Sequence, residues 1–179
     1  MRHGKTDWNA SFKCQGQSDI PLNEEGRKMA REASERYKNL KYDICFTSPL
    51  IRAKETAELV NAGRNIEIVT DDRLKEIELG IYSGAERVLE NKNHPMYEFF
   101  TAPDRFVPDP SMESFEELYK RGKDFVDNVL VPLKGKHEAV LIVSHAAIVR
   151  AIFNPFKNIP LSKFWDVPLK NCEIVEIEV

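Results

Sequence analysis

The sequence predicts an α/β protein, a three-layer α/β/α sandwich around a mostly parallel central sheet. Three observations carry this expectation. Short β-prone runs at 43–47, 66–70 and 139–143 alternate with stretches of helical periodicity. The run Ala139-Val140-Leu141-Ile142-Val143 is apolar without alternation, as in a strand covered on both faces. Helical character then resumes at Ala146, only a Ser-His dipeptide later.

Taken in order, residues 7–22 are polar, with Gly16 and Pro21, and read as a loop. Asn23 is placed to cap a helix whose apolar positions Met29, Ala30, Ala33 and Tyr37 recur at helical spacing. Asp43 to Thr47 reads as a strand, Ser48-Pro49 as a turn, and Ala53, Thr56, Ala57 and Val60 as the buried side of a second helix. Ile66 to Thr70 is a further strand, and Arg73 to Gly84 a loop over one face. Residues 85–112, holding prolines 95, 103, 108 and 110 and several aromatics, form an insertion or lid over the site. Ser114 caps an amphipathic helix carrying Phe115, Leu118, Phe125, Val126 and Val129. Glu173 to Val179 alternates and is expected to form an outer strand. The whole, 1–179, is read as a single domain.

Composition narrows the function classes. A net charge of −3 gives no electrostatic reason to expect nucleic acid or an anionic membrane as partner. No apolar run is long enough to span a bilayer, and the polar start MRHGKTDWN does not resemble a secretory signal. Cys14, Cys45 and Cys172 are odd in number and lack metal-knuckle spacing, which favours a reducing, cytoplasmic setting. A site for an anion therefore has to be built locally.

Ser144-His145 ends the most hydrophobic strand, and the helix beginning at Ala146 would aim free backbone amides at whatever His145 contacts. Arg52 lies on the first turn of the helix after the Asp43 strand, also at a strand's carboxyl end, where open α/β sheets bind ligands. Arg2, His3 and Asn9 come from the opening segment.

The order of RHG at the start, SPLIRAKETA, LKEIELGIYSG and SHAAIVR resembles the histidine phosphatase superfamily, also called phosphoglycerate mutase-like, over nearly the whole chain. The resemblance implies that His3 is the nucleophile, with Arg2, Arg52 and His145 holding the phosphoryl oxygens. It implies Asn9 as a further phosphate contact, Glu76 as proton donor, and Gln15 and Gly16 as pocket-border residues. Ala146 offers its backbone amide, although Ala146 and Ala147 stand where the family usually has two glycines. The activity implied is that of a metal-independent phosphatase acting on a small phosphorylated metabolite through a phosphohistidine, without cofactor. A cofactor-dependent phosphoglycerate mutase or a catalytically impaired phosphate-binding domain are the alternatives.

Several residues also have plainer readings. Glu78 competes with Glu76 for the acid role, His94 and His137 are read as exposed, and the aromatics from Tyr97 to Phe106 as ordinary packing. Arg87 and Arg105 are read as solvated. The family's strand before RHG is represented only by Met1, so the N-terminal strand is expected to be truncated, His3 to be weakly anchored, and a homodimer to be one way of filling the gap.

Overall fold

The computed structural model describes residues 1–178. Its sheet has the order β2-β1-β3, with β1 (Ile44–Thr47), β2 (Glu67–Thr70) and β3 (Val140–Val143) all parallel. In register, Ile44 faces Glu67 on one side and Val140 on the other. Side chains of β1 alternate between layers: Ile44 and Phe46 enter the larger core, Cys45 the smaller one with Leu141 and Val143. A sheet covered on both faces has no polar side, which is why β1 is buried at all four positions.

The helices form in the predicted places for the predicted local reasons. Asn23 caps α2 (Glu24–Arg36) by accepting from the Gly26 amide at 2.8 Å. With α3 (Ile51–Val60), α2 covers the smaller core through Ala30, Ala33, Ala57 and Val60. On the opposite face, Ser114 and Glu117 form a reciprocal capping box at the start of α5 (Phe115–Phe125). That helix passes through a π turn at Val126–Leu130 into the single turn α6 (Val131–Leu133) and packs on α7 (Ala146–Lys157). Gly122 makes the contact close, since a Cβ there would lie 3.1 Å from the Ala151 carbonyl carbon.

Expectations for the segment 7–22 and for both chain ends need correction. The segment 7–22 is not all loop: Thr6 and Asn9 form a capping box that winds α1 (Asp7–Ala10). The N-terminal residues are not loosely held. The Met1 amine donates to Ile142 O at 2.6 Å, Ser144 N to Met1 O at 2.9 Å, and His3 N to Ser144 O at 2.9 Å. On the far side Cys172 N donates to Arg2 O at 2.8 Å, so Arg2 bridges in parallel to both Ser144 and Asn171. The short stub thus occupies a strand position with a partner on each side, and Met1 is 4% exposed. Residues 173–178, finally, make no strand; Val179 lies outside the described residues. A cleft of about 570 Å³, lined by Val140, Ile142, Ile174 and Ile177 among others, separates this segment from β3, so its backbone has no ladder to join.

Residues 85–112 contribute α4 (Tyr97–Thr101) and bury Val88, Met96, Phe99 and Met112 in the larger core. Neither of the two histidines read as exposed is so. His94 is half-buried and its Nδ1 accepts the Met96 amide, while the half-buried His137 lies 3.1 Å from Asp43.

Candidate active site

A cavity of about 370 Å³ opens at the carboxyl ends of the strands. Arg2, His3, Asn9, Gln15, Gly16, Arg52, Glu76 and Ala146 all line it. His145 does not reach the wall; it stands directly behind His3, with ring centroids 5.1 Å apart.

His3 leaves the strand stub with its ring buried, 3% exposed. Gly4 and Gly26 permit this placement, because a Cβ on Gly26 would fall 2.0 Å from the Lys5 carbonyl oxygen and would push α2 off the chain beyond the histidine. The His3 Nδ1 lies 2.6 Å from the Gly4 carbonyl. A carbonyl can only accept, so Nδ1 carries the hydrogen and Nε2 keeps its lone pair. Burial, then the Arg52 and Arg2 guanidinium charges, hold the ring well below the usual value of 6.5, and the imidazole is neutral.

His145 is oriented by Ser48. The Ser48 hydroxyl oxygen accepts from the Leu50 amide at 3.3 Å and lies 2.8 Å from His145 Nε2, a bond that either partner can donate. His145 Nδ1 is buried without a partner. Burial and then Arg52 keep this ring neutral as well.

The cations come from three elements. Arg52, fully buried on α3, donates to the carbonyls of Ser18 and Gly16, both at 2.7 Å, and so ties the loop around Gln15 to the helix. Burial lowers it to about 10, still protonated at neutral pH. Arg2 donates to Leu169 O at 3.1 Å, and Arg150 to Ala146 O and Val167 O at 2.7 and 2.6 Å. All three guanidiniums leave Nε buried and unpartnered. Carbonyl partners satisfy donors without cancelling charge, so the pocket stays cationic and favours an anion.

Glu76 is the surprise of the site. The helix N-terminus expected to offer free amides is already capped: the Glu76 carboxylate accepts from Ala146 N and Ala147 N, each at 2.9 Å, and from Ile148 N at 3.3 Å. Glu78, its competitor, bonds its own loop at Leu79 N and Gly80 N instead. Arg121 places the loop: it donates to the carbonyls of Arg73, Lys75 and Glu76 and pairs with Glu113 at 2.7 Å. Asn9 and Gln15 are held together by Thr6, whose amide donates to Asn9 Oδ1 at 3.2 Å and whose hydroxyl donates to Gln15 Oε1 at 2.9 Å.

Sequence reasoning did not single out Thr6, Ser48, Arg121 or Arg150. Ser48 and Arg150 lie inside the very blocks SPLIRAKETA and SHAAIVR, and Arg150 is one helical turn from Ala146 on the same face. Nothing local marks Arg121, an arginine on an amphipathic helix. Among the described residues no cluster of three or more His, Cys, Asp or Glu side chains could hold a metal ion, and no helix is long and apolar enough to cross a membrane.

Fold and pocket together define an α/β protein with a histidine-centred anion site at its strand ends. The chain belongs to the histidine phosphatase superfamily (branch 1), whose family model matches residues 1–179. It is 40% identical over 152 residues to the "Uncharacterized phosphatase PhoE" of Bacillus subtilis, covering 85% of this chain and 72% of that one. Phosphoserine phosphatase 1 of Hydrogenobacter thermophilus is 30% identical over 176 residues, covering 96% and 81%. The solved structure of Bacillus stearothermophilus YhfR superposes with a TM-score of 0.84 at 34% identity, covering 95% of this chain and 84% of that one. The phosphoglycerate mutase-like fold and the phosphomonoesterase class expected from the sequence both stand.

Proposed function

We propose that this phosphatase hydrolyses a small phosphorylated metabolite in two steps through a phosphohistidine at His3, with no requirement for a metal or cofactor. The observation that carries the reading is the His3 imidazole: neutral, hydrogen-bonded through Nδ1, and facing the cavity beside the buried Arg52 and half-buried Arg2 guanidiniums with its Nε2 lone pair unengaged.

In the first step the substrate's phosphoryl oxygens are held by Arg2 and Arg52, with Asn9 at the border and His145 backing the His3 ring from behind the wall. The guanidinium charges oppose the charge spread over the equatorial oxygens in the transition state. His3 Nε2 bonds to phosphorus, the bond from phosphorus to the ester oxygen breaks, and Glu76, in its protonated form, gives its proton to the departing alkoxide. In the second step water attacks phosphorus and yields a proton to the Glu76 carboxylate. The N–P bond breaks, its electron pair returns to Nε2, and inorganic phosphate leaves. The Glu76 carboxylate and an incoming phosphate compete for the Ala146 amide, the one of its three amide donors that belongs to a cavity-lining residue.

The test is phosphate release from p-nitrophenyl phosphate and from unactivated alkyl phosphates after exhaustive chelation, run beside isomerisation of phosphoglycerate with a bisphosphate primer. Stoichiometric phosphate release is expected. Primer-dependent isomerisation without release would replace hydrolysis by a mutase reaction, and phosphate binding without either would mark a binding domain.

A further inference from the structure

Beyond the phosphoryl site the cavity continues to a mouth whose composition differs from its floor. The inner wall carries Phe100 and Trp165, ring centroids 5.3 Å apart, with Trp165 fixed by a 2.6 Å bond from its indole N–H to the Phe99 carbonyl. Arg150 lies 5.2 Å from the centre of the Trp165 ring and so links this wall to the anion pocket. At the rim stand Phe12 and Leu89, 69% and 59% exposed, two large apolar side chains with no packing reason to face solvent.

Backbone strain puts them there. Phe12 and Arg87 both adopt positive φ, +55° and +48°, a conformation side-chain-bearing residues avoid. Their loops clasp each other, Arg87 N donating to Phe12 O at 3.1 Å and Cys14 N to Ala85 O at 2.8 Å. Strain of this kind is retained where it sets the shape of a site.

The rim's cations are spoken for. Lys13 pairs with Glu86 at 2.7 Å and Arg87 with Glu90 at 3.2 Å, so neither cation at the mouth, nor Glu90, offers an unopposed charge. A carboxylate on the substrate's alcohol portion would find only paired charges and apolar carbon at the mouth.

We infer that the alcohol released by this enzyme is uncharged and carries a planar apolar ring, which lies between Phe100 and Trp165 on one side and Phe12 and Leu89 on the other. This rests on the phosphatase reading and adds the substrate class to it.

The experiment compares kcat/KM for benzyl phosphate and O-phosphoserine, both primary-alcohol esters, in the wild type and in Phe12→Asn. Asparagine accepts positive φ, so this variant removes the apolar ring without straining the loop. Benzyl phosphate should be preferred by at least about tenfold, and Phe12→Asn should lower its kcat/KM severalfold while leaving phosphoserine within about twofold. Equal or better hydrolysis of phosphoserine by the wild type, or an equal fall for both esters in the variant, would overturn the ring-binding assignment and leave the phosphatase intact. Turnover of neither ester, nor of p-nitrophenyl phosphate, would overturn the catalytic reading and this inference with it.

Discussion

Replacing Glu76 by glutamine separates the two proton transfers assigned to one carboxyl group. The carboxylate caps α7 through three amides, at 2.9, 2.9 and 3.3 Å. Glutamine keeps one acceptor oxygen but sets an NH2 against an amide N–H and removes a negative charge from a helix N-terminus. Loss of the charge–dipole term and of one charge-assisted hydrogen bond should cost about 1–3 kcal/mol of stability, readable as a lower Tm. The kinetic effect depends on the leaving group. An alkoxide needs a proton to depart, so the variant should phosphorylate His3 from an alkyl ester about 10²–10⁴-fold more slowly. p-Nitrophenolate departs without help, so phosphorylation from that ester should stay near the wild-type rate while hydrolysis of the phosphoenzyme, lacking its base, slows. Rapid-quench kinetics on p-nitrophenyl phosphate should therefore show a burst of nitrophenol close to one per enzyme, followed by slow turnover. Absence of a burst, with phosphorylation slowed equally for aryl and alkyl esters, would refute the acid–base role and leave Glu76 as a helix cap.

The other predictions concern the groups around the two imidazoles. Ser48→Ala removes the buried hydroxyl that bonds His145 Nε2 and the Leu50 amide, and kcat should fall by at least about tenfold with a modest loss of Tm; an unchanged kcat would show that His145 is positioned without it. Arg121→Met leaves the Glu113 carboxylate and the carbonyls of Arg73, Lys75 and Glu76 without their donor. A loss of about 3–5 kcal/mol is expected from denaturant unfolding, with kcat lowered more than KM is raised. Stability should also depend on pH through His3 and His145, whose folded values lie well below 6.5. The unfolded chain takes up these protons first as pH falls, so stability is full above 6.5 and declines below it, by about 2.7 kcal/mol per pH unit for two such histidines. His3→Asn should halve that slope, measured by urea unfolding across pH 5 to 7.

How far the sequence disclosed this arrangement depends on how local each signal is. The strand at 139–143 and the helix after His145 were legible because burial on both faces and helical periodicity are written in consecutive residues. The caps at Asn23 and Ser114 were legible because each acts on an amide three residues away. The anchoring of His3 was not, since a strand position of three residues has no periodicity and is held by Ile142, Ser144 and Cys172, all more than a hundred residues distant. The strand expected after Cys172 failed for the complementary reason: alternation states a preference, but a strand needs a neighbour. Among site residues, Arg52 and Glu76 were found through motif blocks, whereas the Ser48 hydroxyl and the Arg121 clamp act across the fold. Phe12 and Arg87 hold a conformation that neither residue type announces. In the aromatic run from Tyr97, Phe99 is buried in the core and backs the cavity wall, while its neighbour Phe100 on the same short helix lines that wall half-buried.

The central claim is the covalent bond between phosphorus and His3 Nε2. Mixing the enzyme with ³²P-labelled aryl phosphate, quenching in alkali within milliseconds and mapping the peptides tests it directly. An acid-labile, alkali-stable label is expected on the peptide containing His3, at a level that rises in Glu76→Gln and vanishes in His3→Ala together with turnover. Phosphate release by His3→Ala at the wild-type rate, or label on a peptide lacking His3, would contradict it.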